Sequence, residues 1–308
     1  MTIKIGTRGS ALALAQAHET RSRLMAAHGL GEADFEVKVI STAGDRIQDR
    51  PLSEVGGKGL FSKEIEAALD QGDIDLAVHS TKDMASTLPD GLEIASYLPR
   101  EDVRDAFISP SAGSVDELPQ GAVVGSSSLR RQALLKRARP DLNVVMFRGN
   151  VQTRMEKLNR GDVDATLLAY AGLRRLGMEA VATKLLPTKT FLPAPAQGAI
   201  CIECRSNDEN TKNLVAAIND EATELVIETE RAFLRALDGS CRTPIAGLAT
   251  LELEKITFSG MILSEDGSLV FETSDECAAN LEAARAMGAR AGKKLREQAG
   301  DDFFHHWT

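Results

Sequence analysis

The sequence predicts an α/β protein: two α/β domains facing a cleft, plus a small α+β domain at the C-terminal end. Three observations predict it. Strand and helix patterns alternate through the first two-thirds of the chain, as in layered parallel sheets. A short motif recurs, Gly72-Asp73-Ile74-Asp75-Leu76-Ala77 being echoed by Gly161-Asp162-Val163-Asp164-Ala165-Thr166, each after a helix and opening a strand. Two proline-bearing segments, Pro99-Arg100-Glu101-Asp102 and Leu192-Pro193-Ala194-Pro195, break the alternation where the chain would cross between domains.

The first domain is expected over residues 1–98 plus 199–217. Ile3–Gly6 reads as a short strand and Ser10–His28 as a helix. Phe35–Ile40 alternates like a strand, Leu60–Gln71 has helical spacing, and Ile74–Val78 is a buried strand. The apolar strand Ala199–Glu203 would return to this domain after the second crossing. The second domain, 102–192, repeats the plan. Ala122–Gly125 is a strand, Ser128–Arg139 a helix ended by Pro140, Asn143–Phe147 a strand, Val151–Asn159 a helix and Ala165–Ala169 a strand. The third domain, 221–308, opens with an amphipathic helix over Glu221–Leu237. Strands follow at Ile245–Leu251, Ile256–Leu263 and Leu269–Thr273, the last two joined at Glu265-Asp266-Gly267, and a helix from Ala278 to Gln298 closes it.

The 308 residues carry a net charge of −9 and only 4% aromatics. That balance disfavours nonspecific nucleic-acid binding and base-stacking platforms. No apolar run approaches the ~20 residues that span a bilayer, so no membrane is expected. The N-terminus goes straight into a strand with no signal core, which predicts a cytoplasmic protein. Nothing in the four cysteines suggests a disulfide framework or a metal site. The Cys201–Cys204 pair lies on an apolar strand without a second pair, and reads as structural.

Arginines are concentrated in the middle of this acidic chain, at Arg130-Arg131, Arg148, Arg154 and Arg174-Arg175. A small polyanionic ligand fits that pattern. Gly125-Ser126-Ser127-Ser128-Leu129-Arg130-Arg131 joins a strand to a helix N-terminus, where free N–H groups and the helix dipole favour an anion. The serines could equally serve only as caps, but two arginines in the first turn oppose the dipole, and a bound anion would compensate them. Thr7-Arg8-Gly9-Ser10 offers the same arrangement with one arginine. Arg148, Arg154 and Arg175 follow strand C-termini, the edge where open α/β sheets bind ligands. Asp83, in His79-Ser80-Thr81-Lys82-Asp83, also follows a buried strand; it is either a cap or salt-bridge partner, or a carboxylate that moves a proton or stabilises a cation. Val55-Gly56-Gly57-Lys58-Gly59 lacks phosphate-loop spacing and, with Asp45–Pro51, reads as a flexible loop over the cleft.

Asp238-Gly239-Ser240-Cys241-Arg242-Thr243-Pro244 is a turn held open by Gly239 and Pro244. Cys241 is there either a small apolar side chain under the turn or a thiol favoured as thiolate by Arg242. A non-enzymatic anion-binding protein and a transcription-regulator effector domain share parts of this pattern. The first leaves Cys241 and the third domain unexplained, and the second lacks a helix-turn-helix segment.

Together these motifs resemble the porphobilinogen deaminase (hydroxymethylbilane synthase) family over nearly the whole chain. They extend to Arg148-Gly149-Asn150-Val151, Pro193-Ala194-Pro195-Ala196-Gln197-Gly198 and Glu230-Arg231. Ser240 stands where many members have glycine, and Met84-Ala85 departs from a common Pro-containing pair. The resemblance implies two periplasmic-binding-protein-like domains and a monomeric transferase. It implies a dipyrromethane cofactor held by a thioether to Cys241, and the successive joining of four porphobilinogen units with loss of ammonia. It implies Asp83 as the catalytic carboxylate. It further implies Arg8, Ser10, Lys58, Lys82, Ser128, Arg130, Arg131, Arg148, Arg154 and Arg175 as contacts for cofactor and substrate carboxylates.

Overall fold

The computed structural model describes residues 2–46, 59–239 and 243–304. The first part contains β1 (Ile3–Thr7), α1 (Ala11–His28), β2 (Phe35–Val39), α2 (Ala43–Arg46), α3 (Lys63–Asp70), β3 (Leu76–Ser80) and β4 (Leu92–Tyr97). The second contains β5 (Asp105–Ile108), β6 (Val123–Gly125), α4 (Leu129–Ala138), β7 (Asn143–Val145), α5 (Val151–Asn159), β8 (Ala165–Ala169), α6 (Tyr170–Arg175) and β9 (Lys184–Leu185). Then come β10 (Ile200–Arg205) and α7 (Glu209–Ala216). The last part holds α8 (Glu221–Ala236), β11 (Ile245–Glu252), β12 (Lys255–Leu263), β13 (Val270–Ala278), α9 (Leu281–Ala299) and α10 (Asp301–Phe304).

Two five-stranded sheets share one plan, with orders β2-β1-β3-β10-β4 and β7-β6-β8-β5-β9. In each, three parallel strands are followed by an antiparallel one. That antiparallel strand adjoins a crossing: β5 follows the first, and β10 returns after the second to join the sheet of β1–β4. The third sheet, β11-β12-β13, is antiparallel and packs on α8 and α9.

The repeated motif has a physical reason. Gly72 (φ 76°) and Gly161 (φ 81°) end α3 and α5 in the left-handed conformation that glycine adopts without penalty. Three residues on, Asp75 Oδ2 accepts the Lys4 amide N–H and Asp164 Oδ2 accepts that of Val123, both at 2.7 Å. The motif thus stops a helix and then ties the incoming strand to the first parallel strand of its own sheet.

Apolar side chains from β1, β3 and β10 (Ile5, Leu76, Val78, Ile200, Ile202) pack with Leu24 of α1 in the first core. The second sheet buries Phe107, Val124 and Leu167 on one face and Ile108 and Leu168 on the other. The third part packs its own core, centred on Phe233 and Phe258, against Tyr97 and Met84 at the edge of the first sheet.

Several element boundaries differ from those expected. The helix expected from Leu60 begins at Lys63, because Leu60–Ser62 form a turn after Gly59. β13 extends past Thr273 to Ala278, paired with β12 along its length; its outward polar residues hide it as a strand. The last helix therefore starts at Leu281, where Asn280 Oδ1 accepts the Ala283 N–H at 2.9 Å. The short strands β4, β5 and β9 and the helices α6 and α7 carry weak sequence signals and are new. Cys201 and Cys204 are buried without disulfide partners, and burial pushes their thiols up to about 12 and 11. Among the described residues no helix is long and apolar enough to cross a membrane, and no cluster of three metal-ligating side chains occurs.

Candidate active site: a cationic cleft around Asp83

Because β1 and β3 are parallel, as are β6, β7 and β8, the segments after their C-terminal ends converge on one cleft. Its volume is about 590 Å³. Arg8, Ser10, Lys82 and Asp83 line it from the first sheet, and Ser128, Arg130, Arg131, Arg148 and Arg154 from the second. Leu234, Thr243 and Ile245 of the third part complete the wall.

Asp83 ends a 3-10 turn directly after β3. Its side chain is 31% exposed, and its Oδ2 lies 4.0 Å from Arg8 Nη1. Arg8 is oriented by two other groups: its Nε and Nη2 donate to Asp45, and its guanidinium lies 4.2 Å from the centre of the Phe61 ring. Burial pushes the Asp45 carboxyl up, but hydrogen bonds from Arg8 and Thr42 prevail and hold it below its ordinary value. Lys82 is enclosed, with Nζ donating to Gln197 Oε1 at 3.3 Å. Burial, reinforced by the Arg131 charge, lowers its pKa to about 8. Burial and then Arg131 and Arg148 likewise lower Arg154 to about 10.

Ser10 and Ser128 are both helix caps, accepting the N–H of Ala13 at 3.2 Å and of Arg131 at 3.4 Å. Both also line the cleft, so the capping and cleft roles coexist. The two arginines after Ser128 are a different matter. Half of their charge is compensated within the protein by Asp105, which sits between them. Arg130 Nη2 donates to Asp105 Oδ2 at 2.8 Å, and Arg131 Nε and Nη2 donate to Oδ1 at 3.0 and 2.6 Å. Burial alone would raise the Asp105 pKa, but the two guanidiniums hold it at about 2. One of the two cations at this helix start is therefore matched without an external anion, and one positive charge remains.

Arg175 is not part of the cleft wall. It reaches across to Glu19 of α1 at 3.4 Å and donates to the Gly198 carbonyl at 3.0 Å. Arg174 pairs with Glu101 at 2.6 Å, so both arginines tie the second sheet to the crossings and to α1. Lys58 and Cys241, with most of the 45–59 loop, lie outside the described residues. Thr243, the first described residue after 240–242, lines the cleft together with Leu234 and Ile245.

Sequence reasoning passed over Asp105 and the role of Gln197. Gln197 is fully buried and donates to Val103 O at 2.8 Å and Asp105 Oδ1 at 3.2 Å. A signal for Asp105 existed: Asp105-Ala106-Phe107-Ile108 is a buried run headed by a carboxylate, and a buried carboxylate requires cationic partners.

The chain matches two family models: "Porphobilinogen deaminase, dipyromethane cofactor binding domain" over residues 3–213, and "Porphobilinogen deaminase, C-terminal domain" over 224–297. A curated porphobilinogen deaminase from Nitrobacter hamburgensis is 56% identical over 300 residues, covering 97% of this chain and 94% of the relative. Among solved structures, the methionine-binding protein MetQ is 17% identical over 70% of this chain and 89% of its own, with a TM-score of 0.45. A periplasmic substrate-binding protein of an ABC transporter from Coxiella burnetii is 15% identical over 72% and 94%, with a TM-score of 0.44.

Proposed function

The chain belongs to the porphobilinogen deaminase family, and from that premise we propose which of its residues do the work. Its reaction is that of a transferase in tetrapyrrole biosynthesis. Four porphobilinogen units are joined head to tail with loss of ammonia, on a dipyrromethane cofactor, to give hydroxymethylbilane.

The observation that carries the residue assignment is a partly exposed carboxylate, Asp83, in a cleft whose wall also holds Arg8, Lys82, Arg131, Arg148 and Arg154; the other carboxylate of the wall, Asp45, is held by two hydrogen bonds from Arg8. Each pyrrole bears acetate and propionate groups, so cofactor and growing chain are polyanions. A cationic cleft of this size suits such a group. Thr243, two residues after Cys241, lies in the same wall, which supports Cys241 as the thioether anchor. When bound, the dipyrromethane supplies the pyrrole carbon from which the chain grows.

Asp83 accepts a pyrrole N–H, stabilises the positive charge that develops on that nitrogen as ammonia departs, and takes up the proton released on bond formation. Arg8 and Lys82 flank it and hold substrate carboxylates, and Arg148 and Arg154 hold those of the chain. Ser10 and Ser128 orient the adjoining loops and add hydroxyl donors, and Lys58 approaches from the loop. Arg175 we assign to the joint between the two sheets. The three units, 1–98 plus 199–217, 102–192 and 221–308, act as separate domains around the cleft, and the protein works as a cytoplasmic monomer.

Intact mass spectrometry of the purified protein tests the anchor. The wild type is expected to carry a dipyrromethane adduct that is absent from Cys241→Ser. An unmodified but fully active wild type overturns the assignment.

A further inference from the structure

We propose that Asp105 is a positioning residue for chain elongation: it locks Arg130 and Arg131 into one rigid pair and sets the net positive charge of the cleft wall. The proposal rests on the cleft being the elongation site.

The geometry is unusually constrained for two arginines on a binding surface. Besides their bonds to Asp105, Arg130 Nη1 donates to Leu192 O at 2.8 Å and Arg131 Nη1 to Leu167 O at 2.9 Å. Their side chains are only 3% and 8% exposed, and that of Asp105 is completely buried. Neither guanidinium can swing out to follow a moving ligand. What they offer is a fixed field and their remaining N–H groups. The size of that field is two cations less one anion, so Asp105 sets it.

Asp105 also joins this pair to the other side of the cleft. It lies just after the first crossing, and its Oδ1 accepts from Gln197 of the second. The same Gln197 amide accepts from Lys82, the neighbour of Asp83. One carboxylate and one amide, each beside a crossing, thus hold three cations in register: Lys82 from the turn after β3, and Arg130 and Arg131 from α4.

Stability alone explains such a cluster poorly. Buried ion triads are commonly no more stabilising than well-packed apolar residues of similar volume. A function in turnover explains it better. Each cycle adds two carboxylates to the chain, which must be held for reaction yet shifted before the next unit enters. A wall that is too positive, with arginines free to close on the ligand, would bind the ground state more tightly and slow the advance.

Asp105→Asn keeps the shape and removes the charge. In the folded protein kcat is expected to fall about tenfold to a hundredfold while the KM for porphobilinogen stays level or drops. Intact masses are expected to show enzyme carrying added porphobilinogen units at higher occupancy than in the wild type. A lower melting temperature with unchanged kcat, KM and mass distribution would make Asp105 a structural bridge only and overturn the proposal. Asp105→Glu guards against failure to fold. It keeps the charge but moves it by one methylene, so kcat is expected to fall without a drop in KM, and wild-type kcat in that variant likewise overturns positioning. A wild type without any adduct would instead sink the family-based residue assignment beneath it.

Discussion

The Glu230 carboxylate receives both terminal nitrogens of Arg100, at 2.7 and 3.0 Å, from a position with no solvent exposure. It also accepts the backbone N–H of Ala196 and of Ala249. One side chain of α8 therefore binds the first crossing, the second crossing and β11. Glu230→Gln keeps the volume but leaves the Arg100 charge without a counterion and turns an N–H toward other donors. Losing one partner of a buried pair costs on the order of 3–5 kcal/mol, so the urea midpoint is expected to fall sharply. An unchanged midpoint would show that the joint does not depend on this charge.

Asp83 lies at the opposite extreme. Among the described residues its one ion-pair contact, with Arg8, is at 4.0 Å, and its side chain is partly exposed. Asp83→Ala is accordingly expected to lower turnover by about 10²-fold or more with a melting temperature close to that of the wild type. Near-normal turnover would remove Asp83 from the mechanism. Asp83→Asn separates charge from shape, and should be nearly as slow if the carboxylate acts on a proton or a cation.

The contrast between these two carboxylates shows what the sequence could reveal. Helix starts, strand ends and the doubled Gly-Asp motif are local patterns, so the α/β plan and the clustering of Arg8, Lys82, Asp83, Ser128, Arg148 and Arg154 could be read from it. Charge partners are not local. Asp105 is 25 residues from Arg130 and 92 from Gln197, and Arg175 is 156 from Glu19. Two arginines after a strand look the same in sequence whether they face only an outside anion or also a buried aspartate, as Arg130 and Arg131 do.

Gly198 marks where the two crossings touch. It has φ 91°, and a Cβ there would lie 2.4 Å from the Glu101 carbonyl oxygen. Its own carbonyl accepts from the Glu101 N–H at 3.2 Å and from Arg175. Gly198→Ala must both adopt a conformation that L side chains avoid and push the crossings apart. A loss of about 1–3 kcal/mol is expected, together with reduced turnover in the folded fraction, because the two walls of the cleft are hung on these crossings. Wild-type stability in calorimetry would show that the joint yields without strain.

Lys82 gives two pH trends of opposite sign. Its pKa in the folded protein is about 8, below the ordinary lysine value of 10.5 because burial and Arg131 disfavour the ammonium. Between these values the unfolded chain binds more protons than the folded one at this site, so the Lys82 contribution to stability rises with pH through that window. Carboxylate binding runs the other way: the charge that holds the substrate is lost as pH climbs past 8. The KM for porphobilinogen is therefore expected to rise between pH 7.5 and 9.5 while the urea midpoint changes little or increases. Bound carboxylates favour the ammonium, so the limb should lie at or above 8 and not below it. Lys82→Arg keeps its charge throughout this range and should flatten the KM limb. The same alkaline rise in Lys82→Arg would assign the titration to another group.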